Sequence, residues 1–167
     1  QDDGFDYAYD DNGNLATKTD RATLGVTGYS YDAQGQLVRI DFPDATFATY
    51  AYDALGRRIG KDVDDGFGGR EVTAYVYDGA DILMEFDGSG ALLARYAHGD
   101  RVDQPLAMTR SGQDYYLHAD HQGSIIRVTD SLGAVVNSYT YDAYGRRLSA
   151  TEGVEIAYGY TGREYDP

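Results

Sequence analysis

The chain has 167 residues, room for one domain or part of a larger one, and 42% of them are hydrophobic, enough for a core. Its formal charge of −14 argues against nucleic acid, whose phosphates need a basic stripe, and against an anionic membrane surface. There is no cysteine, hence no disulfide framework, and no apolar run approaches the roughly 20 residues that would insert across a bilayer. Tyrosine dominates the aromatics, with 17 Tyr against five Phe and no Trp, beside 21 Gly and three Pro. That mixture predicts an all-β chain of short strands joined by tight turns.

The first ten residues, QDDGFDYAYD, have neither a basic start nor an apolar stretch, so no signal peptide is read there. They do contain the first copy of a repeat, Tyr-x-Tyr-Asp-x-x-Gly, as Tyr7, Tyr9, Asp10 and Gly13. The second copy is Tyr29, Tyr31, Asp32 and Gly35, and the third is Tyr50, Tyr52, Asp53 and Gly56. A degenerate fourth, Tyr75, Tyr77 and Asp78, lacks the glycine. The second tyrosines are 22, 21 and 25 residues apart, which suits one hairpin plus its connections. Tyrosines two apart on a strand share a face. The aspartate suits the first position of a type I turn, and the glycine three residues later can adopt positive φ. An alternating strand then leaves, as in Leu37-Val38-Arg39-Ile40-Asp41-Phe42. Gly66-Phe67-Gly68-Gly69 reads as a longer hairpin loop, since no Lys-Ser/Thr pair follows to make it a phosphate loop.

Weaker hairpins fill the middle of the chain. Ile82–Phe86 leads into the turn Asp87–Gly90, and Ala91–Tyr96 leaves it. Further on, Asp130 and Gly133 repeat the turn offset between Val128 and Val136. The fifth copy, again complete, is Tyr139, Tyr141, Asp142 and Gly145, and a worn sixth is read at Tyr158–Gly162. Regularly spaced aspartates are turn-formers and poor general acids or bases, which need one or two groups in special environments. Arg57-Arg58 and Arg146-Arg147, just after turn glycines, are expected to pair with nearby acids.

His118, Asp120 and His121 form the best local cluster of metal-ligating types. On a strand, however, His118 and Asp120 share a face and His121 points away, and His98 is the remaining histidine. We read the cluster as a hydrogen-bonded turn before Gly123 and Ser124, with no metal and no cofactor. Ser124 beside His121 and Asp120 suggests a hydrolase only by proximity, and no Gly-x-Ser-x-Gly elbow is present.

Five repeat copies, together with Tyr115–Ser124, Val128–Asp130, Gly133–Val136, Tyr141–Arg146 and Tyr160–Pro167, resemble the RHS/YD-repeat family over nearly the whole chain. The resemblance implies a continuous curled antiparallel sheet, a segment of a hollow shell or spiral. Residues 1–112 correspond to YD-type hairpins and 113–167 to the family's core-like repeats. In the family such shells enclose a C-terminal toxin in secreted bacterial proteins, and related shells occur in wall-associated proteins and in teneurin receptors. The resemblance also implies that Asp166-Pro167 is an earlier position than the Asp-Pro-x-Gly-Leu self-cleavage motif, so the core is expected to be truncated before it.

The reading these features support is a non-catalytic shell segment, with a surface or adhesion module, or a self-assembling tube or fibre, as the alternative. The Tyr rows would bury ring area only under a cover. The expected cover is further YD repeats, enclosed toxin cargo or other copies of the chain, so an isolated monomer is not expected.

Overall fold

The computed structural model describes residues 4–64, 66–101 and 103–165. Asp166-Pro167 lies outside them. Fourteen strands form one antiparallel sheet whose spatial order is the chain order, and it does not close. They are β1 (Phe5–Tyr9), β2 (Leu15–Asp20), β3 (Val26–Tyr31), β4 (Leu37–Asp41), β5 (Phe47–Tyr52), β6 (Arg58–Asp64) and β7 (Arg70–Asp78). Then follow β8 (Asp81–Asp87), β9 (Leu92–His98), β10 (Pro105–Arg110), β11 (Gln113–Ala119), β12 (Ile125–Asp130), β13 (Val135–Tyr141) and β14 (Arg147–Glu152). Among the described residues the helical content is one 3₁₀ turn, Tyr160–Gly162. The all-β class and the hairpin repeat expected from the sequence are both present.

One local device starts most of these hairpins. Gly13 N–H donates to the Asp10 carbonyl (3.0 Å), and Asp10 N–H donates to the Asn14 carbonyl (2.9 Å). The Asp10 carboxylate accepts from the amides of Asn12 and Asn14 at 3.0 and 2.8 Å. The same pair of amide bonds, two and four residues on, recurs at Asp32, Asp53, Asp87, Asp120, Asp130 and Asp142. The matching glycines sit at φ of +78 to +87°, where an L side chain is strained. This is a type I turn followed by a left-handed residue, and the strand leaving the turn carries a bulge in the Asp10, Asp32, Asp53, Asp87, Asp120 and Asp142 hairpins. Asp78 departs from the pattern: a two-residue turn, Gly79-Ala80, joins β7 to β8. We expect Asp32→Ala to destabilise by about 1 kcal/mol, the scale of a net hydrogen bond. A urea melt showing no loss would mean that the loop holds its shape without the carboxylate.

Successive hairpins are also stapled together. Tyr52 hydroxyl donates to the carbonyl of Leu37 (2.8 Å), the first residue of the preceding strand. Tyr141 does the same to Ile125 (3.0 Å), the first residue of β12. The second tyrosine of a copy can therefore bury its ring and still satisfy its hydroxyl at the exit of the previous turn.

The chain divides into two compact units: unit 1, Gln1–Tyr75 with Asp87–Ala91, and unit 2, Val76–Phe86 with Leu92–Pro167. Unit 1 is thinly covered. Among its described hydrophobic residues only Ala48 is fully buried. Unit 2 holds the core, built on Ile82, Tyr96, Met108, Ile125, Val128 and Tyr158. Its lid is its own chain. After β14 the backbone crosses the Tyr-bearing face, and Ile156, Tyr158 and Gly162 become buried. This differs from two sequence expectations. The worn sixth copy at Tyr158–Gly162 forms no hairpin strand, only a bridge between Tyr158 and Glu164 around the 3₁₀ turn. It has no aspartate after its second tyrosine to start the usual turn. The cover foreseen as cargo, repeats or copies is supplied in unit 2 by this strap.

Candidate functional site

The strap is held by side chains of the sheet, and they make the most concentrated polar site among the described residues. Glu85, Ala94 and Arg110 stand in one cross-strand row, which brings a carboxylate and a guanidinium together under the strap. Arg110 donates to Glu85 Oε2 at 2.9 Å and also pairs with Glu155 of the strap. Tyr96 hydroxyl donates to Glu85 Oε1 (3.1 Å) and accepts from the amide of Ala157 (3.1 Å). Glu85 is 5% exposed. Burial raises its carboxyl above the usual range, against the opposing pull of Arg110. Burial likewise raises the Tyr96 phenol well above its ordinary value.

Two further anchors flank this row. Tyr158 hydroxyl meets Ile82 N–H at 3.1 Å and His98 Nε2 at 2.9 Å, and its ring stands edge-on to Tyr96, with centroids 5.1 Å apart. Burial raises Tyr158 and lowers His98, with Asp81 and Asp78 pulling His98 back up. On the other flank Asn137, fully buried, spends its whole side chain on the strap and its neighbour. Oδ1 accepts from the amides of Gly153 and Val154, while Nδ2 donates to Val154 carbonyl and Tyr139 hydroxyl, all at 2.7–3.0 Å. Tyr160 closes the far end, its hydroxyl donating to Ala143 carbonyl over the Asp142 turn. A Cβ on Gly145 would come within 2.6 Å of the Tyr160 ring, so this glycine is needed for space as well as for its φ.

The core-motif residues serve the same architecture. Asp120 and Gly123 form the turn between β11 and β12. Ser124, also buried, accepts the Thr161 amide on its hydroxyl (3.0 Å) and so anchors the strap. His118 is on the opposite face of the sheet, with Nε2 2.9 Å from Thr129 Oγ1. His121 is exposed in the turn. The residues that looked like a triad or a metal set are thus placed in three different environments.

Unit 1 presents its tyrosines differently. Tyr9 is 64% exposed and Tyr7 41%, while Tyr29, Tyr31, Tyr50 and Tyr52 are half-buried. Both lysines of the chain share this face. Lys18 stands opposite Tyr7 and 3.9 Å from the Phe5 ring, and Lys61 stands opposite Tyr50. Arg58 lies between Tyr50 and Tyr75 at 5.4 and 5.6 Å. The reverse face carries Phe47 between Arg39 and Arg70, each paired with an acid, Asp41 and Asp62. Arg57 pairs with Asp53 and Arg146 with Asp142, as the sequence suggests.

The turn carboxylates give the fold a pH dependence. The side chains of Asn14, Arg57 and Ser89 hold Asp10, Asp53 and Asp87 below the ordinary aspartate value, and the Tyr144 amide does so for Asp142. Because folded-state values lie below unfolded ones, this stabilisation is present above about pH 4 and is lost as pH falls through the folded values. Glu85, shifted upward, works in the opposite sense and cannot produce a loss on acidification. We expect the melting temperature to fall steadily from about pH 4 to about pH 2. A flat profile there would show that these bonds persist in the unfolded chain.

Comparison with known proteins agrees with this architecture. The Teneurin YD-shell family model matches residues 2–167. The tRNA nuclease WapA of Bacillus subtilis (strain 168) is 36% identical over 166 residues, which is 95% of this chain and 7% of that protein. Double-stranded DNA deaminase toxin A of Burkholderia cenocepacia (strain H111) is 30% identical over 90% of this chain and 12% of its own length. Among solved structures, the Photorhabdus luminescens Tc holotoxin pore superposes with a TM-score of 0.59 at 16% identity, over 97% of this chain and 11% of that one. The chain therefore spans only a small part of each of these relatives. Its hairpin repeat, its turn chemistry and a family match over almost its full length agree, and the chain belongs to the Teneurin YD-shell family of RHS/YD-repeat proteins.

Proposed function

We propose that the chain is a non-catalytic wall segment of a shell that encloses polypeptide cargo in an exported bacterial toxin. The carrying observation is the contrast between its two Tyr-bearing faces. In unit 2 the face is sealed by the strap, whereas in unit 1 Tyr7 and Tyr9 stay exposed, with Lys18 opposite Tyr7. An aromatic face with a few cations suits contact with an unfolded or acidic chain, because rings supply area and hydroxyls tolerate water. The names of two relatives, a tRNA nuclease and a DNA deaminase toxin, support this reading, and so does the Tc holotoxin fold match. Further YD repeats at the edge strands β1 and β14 would complete the wall, and in their absence other copies of the chain would pair there.

The test is limited proteolysis of the full-length protein that contains this segment. Polypeptide beyond the segment should resist trypsin natively and become cleavable when Tyr29 and Tyr50 are both changed to Glu. Protection unchanged by that double substitution, in a protein that still melts cooperatively, would overturn the lumenal assignment. For the isolated chain, light scattering at micromolar concentration should report association. A monodisperse monomer would refute the open-edge argument.

A further inference from the structure

On the reverse face of unit 2, away from the strap, we infer a binding site for an acidic glycan of the hexuronate class. Directly paired residues share a face of the sheet. Arg95 is opposite Thr109, and Thr109 is opposite Asp114. One pair further along, Ala97 is opposite Ala107, and Ala107 is opposite Tyr116. Two facing alanines leave a dip in the sheet surface. It forms a groove of about 230 Å³ walled by Arg95, Thr109, Asp114 and Tyr116. Beyond Tyr116 the stripe continues with His118 opposite Arg127.

The charge arrangement singles this stripe out. On the reverse face of unit 1, Arg39 and Arg70 each have a carboxylate partner. Arg95 and Arg127 are exposed and, among the described residues, pair with none. Between them lie an exposed Tyr116 ring and a carboxylate, Asp114, that accepts from Thr109 Oγ1 at 2.7 Å. Arg95 and Arg127 are three strands apart across the sheet and, since Arg95 shares the row of Asp114 and Arg127 that of His118, four residues apart along it, so about 20 Å separates their backbones.

A hexuronate chain fits this set of groups. The apolar face of a sugar ring can lie on Tyr116. Its carboxylates meet guanidinium forks that are not already neutralised. Its hydroxyls need an acceptor as well as donors, which Asp114 and Thr109 provide. The groove is smaller than the roughly 300–1,000 Å³ of enclosed ligand sites, so it holds one ring of a chain lying across the surface. The overall charge of −14 opposes any polyanion, but at physiological salt that repulsion is screened beyond about 8 Å, and the local field is set by the two arginines.

The experiment is calorimetric titration of the full chain with a galacturonic acid hexamer, beside neutral maltohexaose, phosphatidylserine vesicles and a poly-glutamate peptide. The hexuronate should bind about ten-fold or more tightly than each of the others, and Arg95→Ala, Arg127→Ala and Tyr116→Ala should each weaken it about ten-fold, the equivalent of one charge-assisted contact. Tyr116→Phe, which keeps the ring, should retain binding, and all variants should melt as the parent does. Absence of hexuronate binding overturns the inference. So does binding that the three alanine variants leave unchanged, or equal binding of maltohexaose, the vesicles or the peptide.

Discussion

Arg110→Ala is expected to destabilise the protein by about 3–5 kcal/mol, because it leaves the Glu85 carboxylate buried without its guanidinium. The cost comes from the stranded charge more than from the lost attraction. Glu85 keeps only the Tyr96 hydroxyl, at 3.1 Å, and the strap loses its link through Glu155. A matched double change, Glu85→Met with Arg110→Met, removes both charges and keeps most of the volume. It should recover to within about 1–2 kcal/mol of the parent, since apolar replacement of a buried pair is often near neutral. The check is urea denaturation of all three proteins. A double variant as unstable as the single one would show that the pair is needed as a pair.

Asn137→Ala should cost about 3 kcal/mol, with several strap groups losing partners at once. The amide and carbonyl of Val154 turn to this one side chain, and the Gly153 amide shares it with the Val136 carbonyl. Asn137→Asp is the informative companion. It keeps the acceptor for both amides but places a carboxylate against the Val154 carbonyl and Tyr139 hydroxyl at a fully buried position. Hydrogen exchange should show the residues 153–158 opening in Asn137→Ala while the β1–β6 amides keep their parental protection. Uniform loss of protection along the whole chain would mean that strap and sheet open as one unit.

The hairpins were legible because their information is local. Asp10, Gly13 and their equivalents specify a turn within five residues, and paired tyrosines specify a face. Arg57 and Arg146 found the aspartates that start their own turns for the same reason. The clasp was not legible because its partners are far apart in sequence. Tyr158 meets Ile82 across 76 residues and Ala157 meets Tyr96 across 61. One signal was available. Glu85 interrupts the apolar run Ile82-Leu83-Met84-Glu85-Phe86, and Asn137 follows Val135-Val136 on a strand. A lone polar residue within an apolar run marks a buried group that must have a partner. The histidine cluster shows that adjacency in sequence is not a shared site: His118 reaches Thr129, while the Asp120 carboxylate accepts the Gln122 amide of its own turn.

The strap also sets the order in which the molecule can assemble. Every strand pairs with its neighbour in sequence, so loops to be closed are short and hairpins can be added one after another as the chain emerges from the ribosome. The strap is the exception, because its anchors need β8, β9, β13 and the turn before β12 already in place to receive Tyr158, Ala157, Val154 and Thr161. Strap docking is therefore a late event in folding, and it occurs only on a sheet whose preceding hairpins are correctly registered.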